Sequence, residues 1–305
     1  MRPAASVILL TTLLGAGQGL FLAMVLVDVL GAAPKGFFVW GSATSLVLLA
    51  AGLLSSFFHL GHPERAWRSA AMWRTSWLSR EVIALPAFMA AVLAYGLAHR
   101  AGETVAAMWI AAAGVVLCFA LYVCTAMIYA CLRFLQEWHT AWTPVNYILL
   151  GAASGFTLAA PLAALAAPGW TRVLAATALG LGALAYAARL ATLRRNARLR
   201  PQSTLATAIG VKHPRIAQIA QGFMGGSFNT REFFHGRPQE VVRAVRWTFL
   251  LLLFPCPALL LALGGESPLA LAAAFALQYA GLLAERWYFF AEAKHPQNLY
   301  YQAIA

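Results

Sequence analysis

The sequence predicts an all-α integral membrane protein, a bundle of about eight transmembrane helices, and two observations carry that prediction. Hydrophobic residues make up 61% of the 305 and charged residues only 10%, whereas about a quarter of a soluble domain is charged. The apolar residues also gather into runs at 5–30, 37–58, 82–98, 104–132, 145–167, 173–193, 247–263 and 269–291. Each run is close to the ~20 residues a helix needs to cross a ~30 Å hydrocarbon core. None shows the dyad alternation of barrel strands, and only helices or closed barrels satisfy their backbone hydrogen bonds in lipid.

The first run follows Arg2 as a signal peptide would, but it is too long for an h-region and no cleavage site leads into a soluble domain, so it reads as a retained helix. Its GAGQG stretch sets Gly15, Gly17 and Gly19 around Gln18. No strand precedes it, which excludes a dinucleotide fingerprint. Small residues suit close helix packing, and a buried Gln18 needs a partner, either a neighbouring helix or a quinone carbonyl.

Between the second and third runs lies FFHLGHPERAWRSAAMWRTSWLSREVIALP. It places His59 at the base of one helix and Glu81 at the base of the next, with His62, Glu64, Arg65, Arg68, Arg74 and Arg80 between. Ionisable groups at a membrane edge are costly unless solvated or paired, and His titrates near neutral pH, so the pair suits proton handling. A structural role is open too, because a cation at a helix C-terminus and an anion at an N-terminus both favour the dipole. Trp67, Trp73 and Trp77 offer flat apolar surface for a quinone ring, or serve as interfacial belt residues.

Cys118, Cys124 and Cys131 share the fourth run and Cys256 lies in the seventh, with no C-x-x-C pair. They read as small packing residues, without an iron–sulfur or zinc motif. The cluster RFLQEWHTAWTPVNY follows, with Trp138, His139 and Trp142 just before Pro144. Pro144 suits the first turn of the fifth helix and Thr143 its N-cap, which leaves two Trp flanking a His unexplained. Arg189 in the sixth run and Glu285 and Arg286 in the eighth lie at similar depth, which predicts a buried salt bridge, with a proton path as the alternative. Haem ligation needs His pairs inside spans; His59, His99 and His139 stand at span ends, His99 on the other face, so no haem is expected.

With an even number of spans both termini share one face. Of the 22 Lys and Arg, only Lys35, Arg100 and Arg172 fall in the connections of the opposite face. Basic short loops stay in the cytoplasm, so the termini and the connections 61–80, 133–146 and 194–246 are expected there. A net charge of +12 without a soluble domain to display it points to inner loops and an acidic partner, not to nucleic acid. The long connection at about 194–246 mixes basic, glycine and aromatic residues, which suits partner docking or, alternatively, a loop lying on lipid headgroups.

The segments HLGHPERAW with SWLSREV, then WHTAWTP, then AERWYFF resemble, in order, the membrane-anchor subunit family of dimethyl sulfoxide reductase (DmsC-type), and the resemblance covers essentially the whole chain. It implies a haem-free anchor that exchanges electrons between a membrane quinone, ubiquinone or menaquinone, and a four-cluster iron–sulfur subunit, which connects to a subunit bearing molybdopterin. It ties His59 and Glu81 to quinol handling, while His62 and Arg80 fall where members vary. Around the ring the expected residues are Gln18, His62, Arg65, Trp77, Arg80, Trp138, His139 and Trp142. The enterobacterial reductase holds its catalytic subunits outside the inner membrane. The charge bias here instead makes the chain more similar to the branch serving cytoplasmic quinone-reducing molybdoenzymes, the sulfite dehydrogenase (SoeABC-type) and the phenylacetyl-CoA oxidoreductase. The expectation is one transmembrane domain over 1–305 in a bacterial inner membrane, with the iron–sulfur subunit on its cytoplasmic face. A secondary transporter is the reading from another class, but no clear internal repeat is visible and the charges cluster at one edge.

Overall fold

The computed structural model describes residues 1–58, 60–219 and 232–300. Among these, eight helices are long and apolar enough to cross a membrane. They are α1 (Ala5–Leu30), α2 (Lys35–Phe57), α3 (Trp77–Ala101), α4 (Thr104–Ala130), α5 (Trp142–Ala166), α6 (Thr171–Asn196), a seventh span made of α8 (Gln239–Leu253) and α9 (Pro255–Leu263), and α10 (Pro268–Glu292). A short α7 (Leu205–Ile209) lies in the long connection, of which 220–231 falls outside the described residues.

α1 occupies the centre, packed on α2, α4, α5 and α10. Its glycines explain why. An added Cβ on Gly155 of α5 would lie 2.1 Å from the Gly19 carbonyl carbon, and one on Gly19 would lie 2.3 Å from the Gly151 carbonyl oxygen. In lipid no hydrophobic force drives helices together, so close backbone approach through small residues supplies the dispersion contacts. The face of the bundle that meets no other helix carries Trp40, Val47, Leu54, Val105, Trp109 and Leu184, all exposed, as a lipid-facing surface should.

Several helix ends differ from the sequence expectation. α3 starts at Trp77, before the apolar run, because Ser76 caps it by accepting from the Ser79 N–H at 3.4 Å. Glu81 therefore lies inside the helix. α5 starts at Trp142, and the Thr143 hydroxyl donates to the Trp138 carbonyl at 2.7 Å instead of capping. The seventh span begins at Gln239 and breaks at Phe254 (φ −120°, ψ −75°). Pro255 and Pro257 have no N–H for the carbonyls of Leu251 and Leu253, and the residue before a proline is pushed from helical geometry. At the break the Leu253 backbone lies against Gly281 of α10, where a Cβ would come within 2.4 Å of the Leu253 nitrogen.

The first residues of the chain meet the residues that follow α10 and those that precede α8 at one end of the bundle: the Met1 amine donates to the Ala293 carbonyl at 2.9 Å, and the Arg2 N–H to the Glu232 carbonyl at 2.8 Å. There the His295 ring stacks on Phe233 with centroids 3.7 Å apart and meets Phe134 edge-on at 5.3 Å. Burial, and then the nearby Met1 amine, hold both His235 and His295 below the ordinary value of 6.5.

Gly155→Ala forces α1 and α5 apart and should cost roughly 1–3 kcal/mol, read as a lower thermal midpoint. Gly180→Ala, where a Cβ meets nothing within 4 Å, should leave the midpoint unchanged. For the two histidines, the folded form binds fewer protons than the unfolded one, so their contribution is complete above 6.5 and falls as pH drops below it. Amide protection factors in 232–238 and 293–300, taken relative to the intrinsic exchange rate at each pH, should fall between pH 7.5 and 5.5, and His295→Phe should abolish part of that change.

Candidate functional site

Charges entering a low-dielectric bundle must be paired or hydrogen-bonded, and the structure sorts them by depth. In the layer one to two turns in from the chain termini, Glu285 is wholly buried between two guanidinium groups. Arg189 Nε lies 2.9 Å from Oε1 and Arg286 Nε 2.5 Å from Oε2. Arg189 also reaches Glu292 at 3.8 Å, and Arg286 lies over the Tyr147 ring at 4.2 Å. The expected Arg189–Glu285 bridge is thus present and widened into a network.

Glu81, in the same layer, is handled differently. It is buried at 6% exposure, its carboxylate accepts from the Thr125 hydroxyl of α4 at 2.5 Å, and no Lys or Arg of the described residues lies within ion-pair distance. Thr125 in turn lines a cavity of about 20 Å³ that it shares with Thr12, Gln18, Tyr122, Tyr147 and Arg286. That volume admits about one water and no ring. Gln18 is buried and donates to the Cys118 carbonyl at 2.9 Å, so its partner here is a neighbouring helix.

The remaining predicted residues gather at the same end of the bundle. Arg80 lies over the Trp77 ring at 4.3 Å and donates to the carbonyls of Trp73 and Arg74 at 2.8 and 2.7 Å, which ties the loop to the start of α3. His62 and Arg65 face solvent at the start of a 3-10 helix (Pro63–Ala70), both against Glu64, at 3.0 and 3.7 Å. His139 bonds the Ala130 carbonyl at 2.6 Å and closes the end of α4. Trp142 is 38% exposed. Trp138 is buried, stacked on Phe289 at 5.1 Å and donating to its carbonyl at 2.9 Å, which places it in an aromatic core with Tyr129, Tyr147 and Phe290. His59 lies outside the described residues.

Residue types alone did not single out Thr125, Thr12, Tyr122 or Tyr147, because hydroxyls are common in spans and their convergence is tertiary. The opposite end of the bundle holds a second titratable cluster, which the sequence reading missed. Asp28 accepts from Tyr95 at 3.0 Å and lies 3.0 Å from His99 Nε2, whose ring stacks on Phe38 at 4.0 Å. This cluster joins α1, α2 and α3, with His99 ~27 Å along α3 from Glu81.

The family model described as DMSO reductase anchor subunit (DmsC) matches residues 2–284 of the chain. A sulfite dehydrogenase subunit of Allochromatium vinosum is similar over the full length of both chains, with 55% identity.

Proposed function

We propose, from the premise that the chain belongs to the DMSO reductase anchor subunit (DmsC) family, that it is the quinone-reacting subunit of a cytoplasm-facing sulfite dehydrogenase. As a member of that family it is a multi-pass membrane protein and an anchor subunit of an oxidoreductase complex. In the proposed assembly a molybdopterin subunit oxidises sulfite. A four-cluster iron–sulfur subunit docked on the basic face relays the electrons, and ubiquinone or menaquinone in the bacterial inner membrane accepts two electrons and two protons to become the quinol. The full-length likeness to a sulfite dehydrogenase subunit supports the substrate. The distribution of Lys and Arg supports a cytoplasmic location for the termini and the docking face.

Glu81 is the observation that carries the chemistry. A buried carboxyl with a hydroxyl partner and, among the described residues, no Lys or Arg within ion-pair distance can exchange a proton with a neighbouring group at no cost in broken ion pairs. The ring would sit on the loop side of Glu81, against the Trp77 face that Arg80 backs, since the interior cavity beside Thr125 has room for water alone. His59, at the base of the preceding helix, would supply the second proton-transfer group. The small cavity, with Gln18 and the hydroxyls of Thr12, Thr125 and Tyr147, would hold the water that reloads Glu81. Arg189, Glu285 and Arg286 would hold α5, α6 and α10 in register around it, Glu285 by its pairing with both guanidinium groups.

In the purified complex, Glu81→Gln and His59→Ala should each lower quinone reduction by about 10²-fold or more with the iron–sulfur and molybdenum subunits still co-purifying. A purely structural tether would keep the rate in both variants, and a transporter would bring down no such subunits.

A further inference from the structure

Thr125 uses its hydroxyl differently from four other buried threonines of the spans. Thr11, Thr12, Thr157 and Thr192 each donate to a carbonyl of their own helix four residues back, at 2.8 or 2.9 Å, the bond a mid-helix threonine ordinarily makes. Thr125 instead donates across to α3, to Glu81 Oε1 at 2.5 Å. A hydroxyl has one hydrogen to give and lone pairs to accept with, so this bond commits the only hydrogen that Thr125 has. A hydrogen bond to an ionised carboxylate is roughly twice as strong as a neutral one, which favours the turn away from the helix while Glu81 is ionised. Once Glu81 carries a proton that advantage is gone. The carboxyl can then donate to the Thr125 oxygen, and the hydroxyl hydrogen can turn to a water or to the Leu121 carbonyl four residues back. Thr125 thus has two hydrogen-bonding states, and the proton on Glu81 selects between them.

Position adds a second argument. The cavity of about 20 Å³ has Thr125 in its wall but not Glu81, so among the described residues a water held there meets the carboxyl through Thr125. The charged and titratable groups nearby do not compete for that place. Cys124 and Tyr129 of α4 and Tyr147 of α5 feel the charge of Glu81, yet among the described residues the one hydrogen bond to its carboxylate comes from Thr125. Arg80, next to Glu81 on α3, is committed to the carbonyls of Trp73 and Arg74.

We propose that Thr125 is a positioning residue that relays protons to Glu81, taking one from water in the cavity as it passes its own to the carboxylate. An O–H bond of a hydronium ion and the Thr125 O–H bond break, while a carboxyl O–H bond and a new Thr125 O–H bond form. Water, threonine and a neutral carboxyl remain; the excess proton comes from solvent, and no electron moves. The inference rests on the reading of Glu81 as proton donor to the quinone, and it adds the group that reloads it.

The purified complex is assayed with sulfite as donor and ubiquinone-2 as acceptor. Thr125→Val nearly keeps the side-chain shape and loses the hydroxyl. It should lower kcat at least about tenfold, the loss of one hydrogen bond to a charged group, and leave KM for ubiquinone-2 unchanged, because Thr125 does not face the ring. Thr125→Ser should restore most of the rate. Thr157→Val, which removes a hydroxyl bonded within its own helix, should leave the rate unchanged. In the redox-induced infrared difference spectrum the Glu81 carboxyl C=O band should move to higher wavenumber in Thr125→Val, where it loses its partner, and return in Thr125→Ser. A Thr125→Val rate close to that of the unmodified complex, or a Thr125→Ser rate as low as that of Thr125→Val, would overturn the proposal. If Thr125→Val is neutral while Glu81→Gln still stops quinone reduction, the relay alone is wrong; if neither substitution matters, the reading of Glu81 fails with it.

Discussion

The backbone contact between Gly19 of α1 and Gly155 of α5 is the constraint on which the inner architecture depends. Those residues touch through main-chain atoms, which leaves no freedom in how far apart the two helices lie. With α1 and α5 at that distance, the Tyr122 hydroxyl of α4 reaches the Gly15 carbonyl at 3.0 Å and Ser45 of α2 reaches the Gly17 carbonyl at 2.8 Å. The position of α4 in turn sets Thr125 against Glu81. A chain of close approaches, begun by Gly19 and Gly155, thus fixes the geometry of the one buried carboxyl that lacks a cation among the described residues.

Electrostatics then divides the bundle into two layers. Near the termini, Arg189, Arg286, Glu285 and Glu292 neutralise one another, and their mutual attraction offsets part of the desolvation cost that such a cluster carries. At the opposite end Asp28, Tyr95 and His99 form a smaller closed set. These groups satisfy each other and tie helices together. Glu81 stands apart because its hydrogen bond comes from a neutral hydroxyl. On the proposed reading that contrast separates the residues that hold the bundle from the residue that exchanges protons.

Much of the fold was legible because a bilayer imposes a length and a polarity on every span. Helix ends were less so. Hydropathy placed the start of the third helix at residue 82, although Ser76 carries an ordinary capping signal, and so set Glu81 at the helix base instead of inside it. Pro255 and Pro257 advertised the break in the seventh span, but the apolar run continues through them and hides it. The Arg189–Glu285 pair could be read from matching depths on two spans. The Asp28–His99 pair was not, because both residues stand at span ends, where solvent can satisfy a polar group without a partner. Two Trp flanking His139 marked an unusual segment correctly, yet only packing shows that Trp138 faces inward onto Phe289 while Trp142 stays partly exposed.

On the proposed mechanism, the Glu81 carboxyl responds to the redox state of a quinone bound near it. A redox-induced infrared difference spectrum of the quinone-loaded complex tests this directly. The expected result is a carboxyl C=O band that changes between quinone and quinol and is absent in Glu81→Gln. A spectrum without such a band, or one in which the band survives that substitution, would contradict the mechanism.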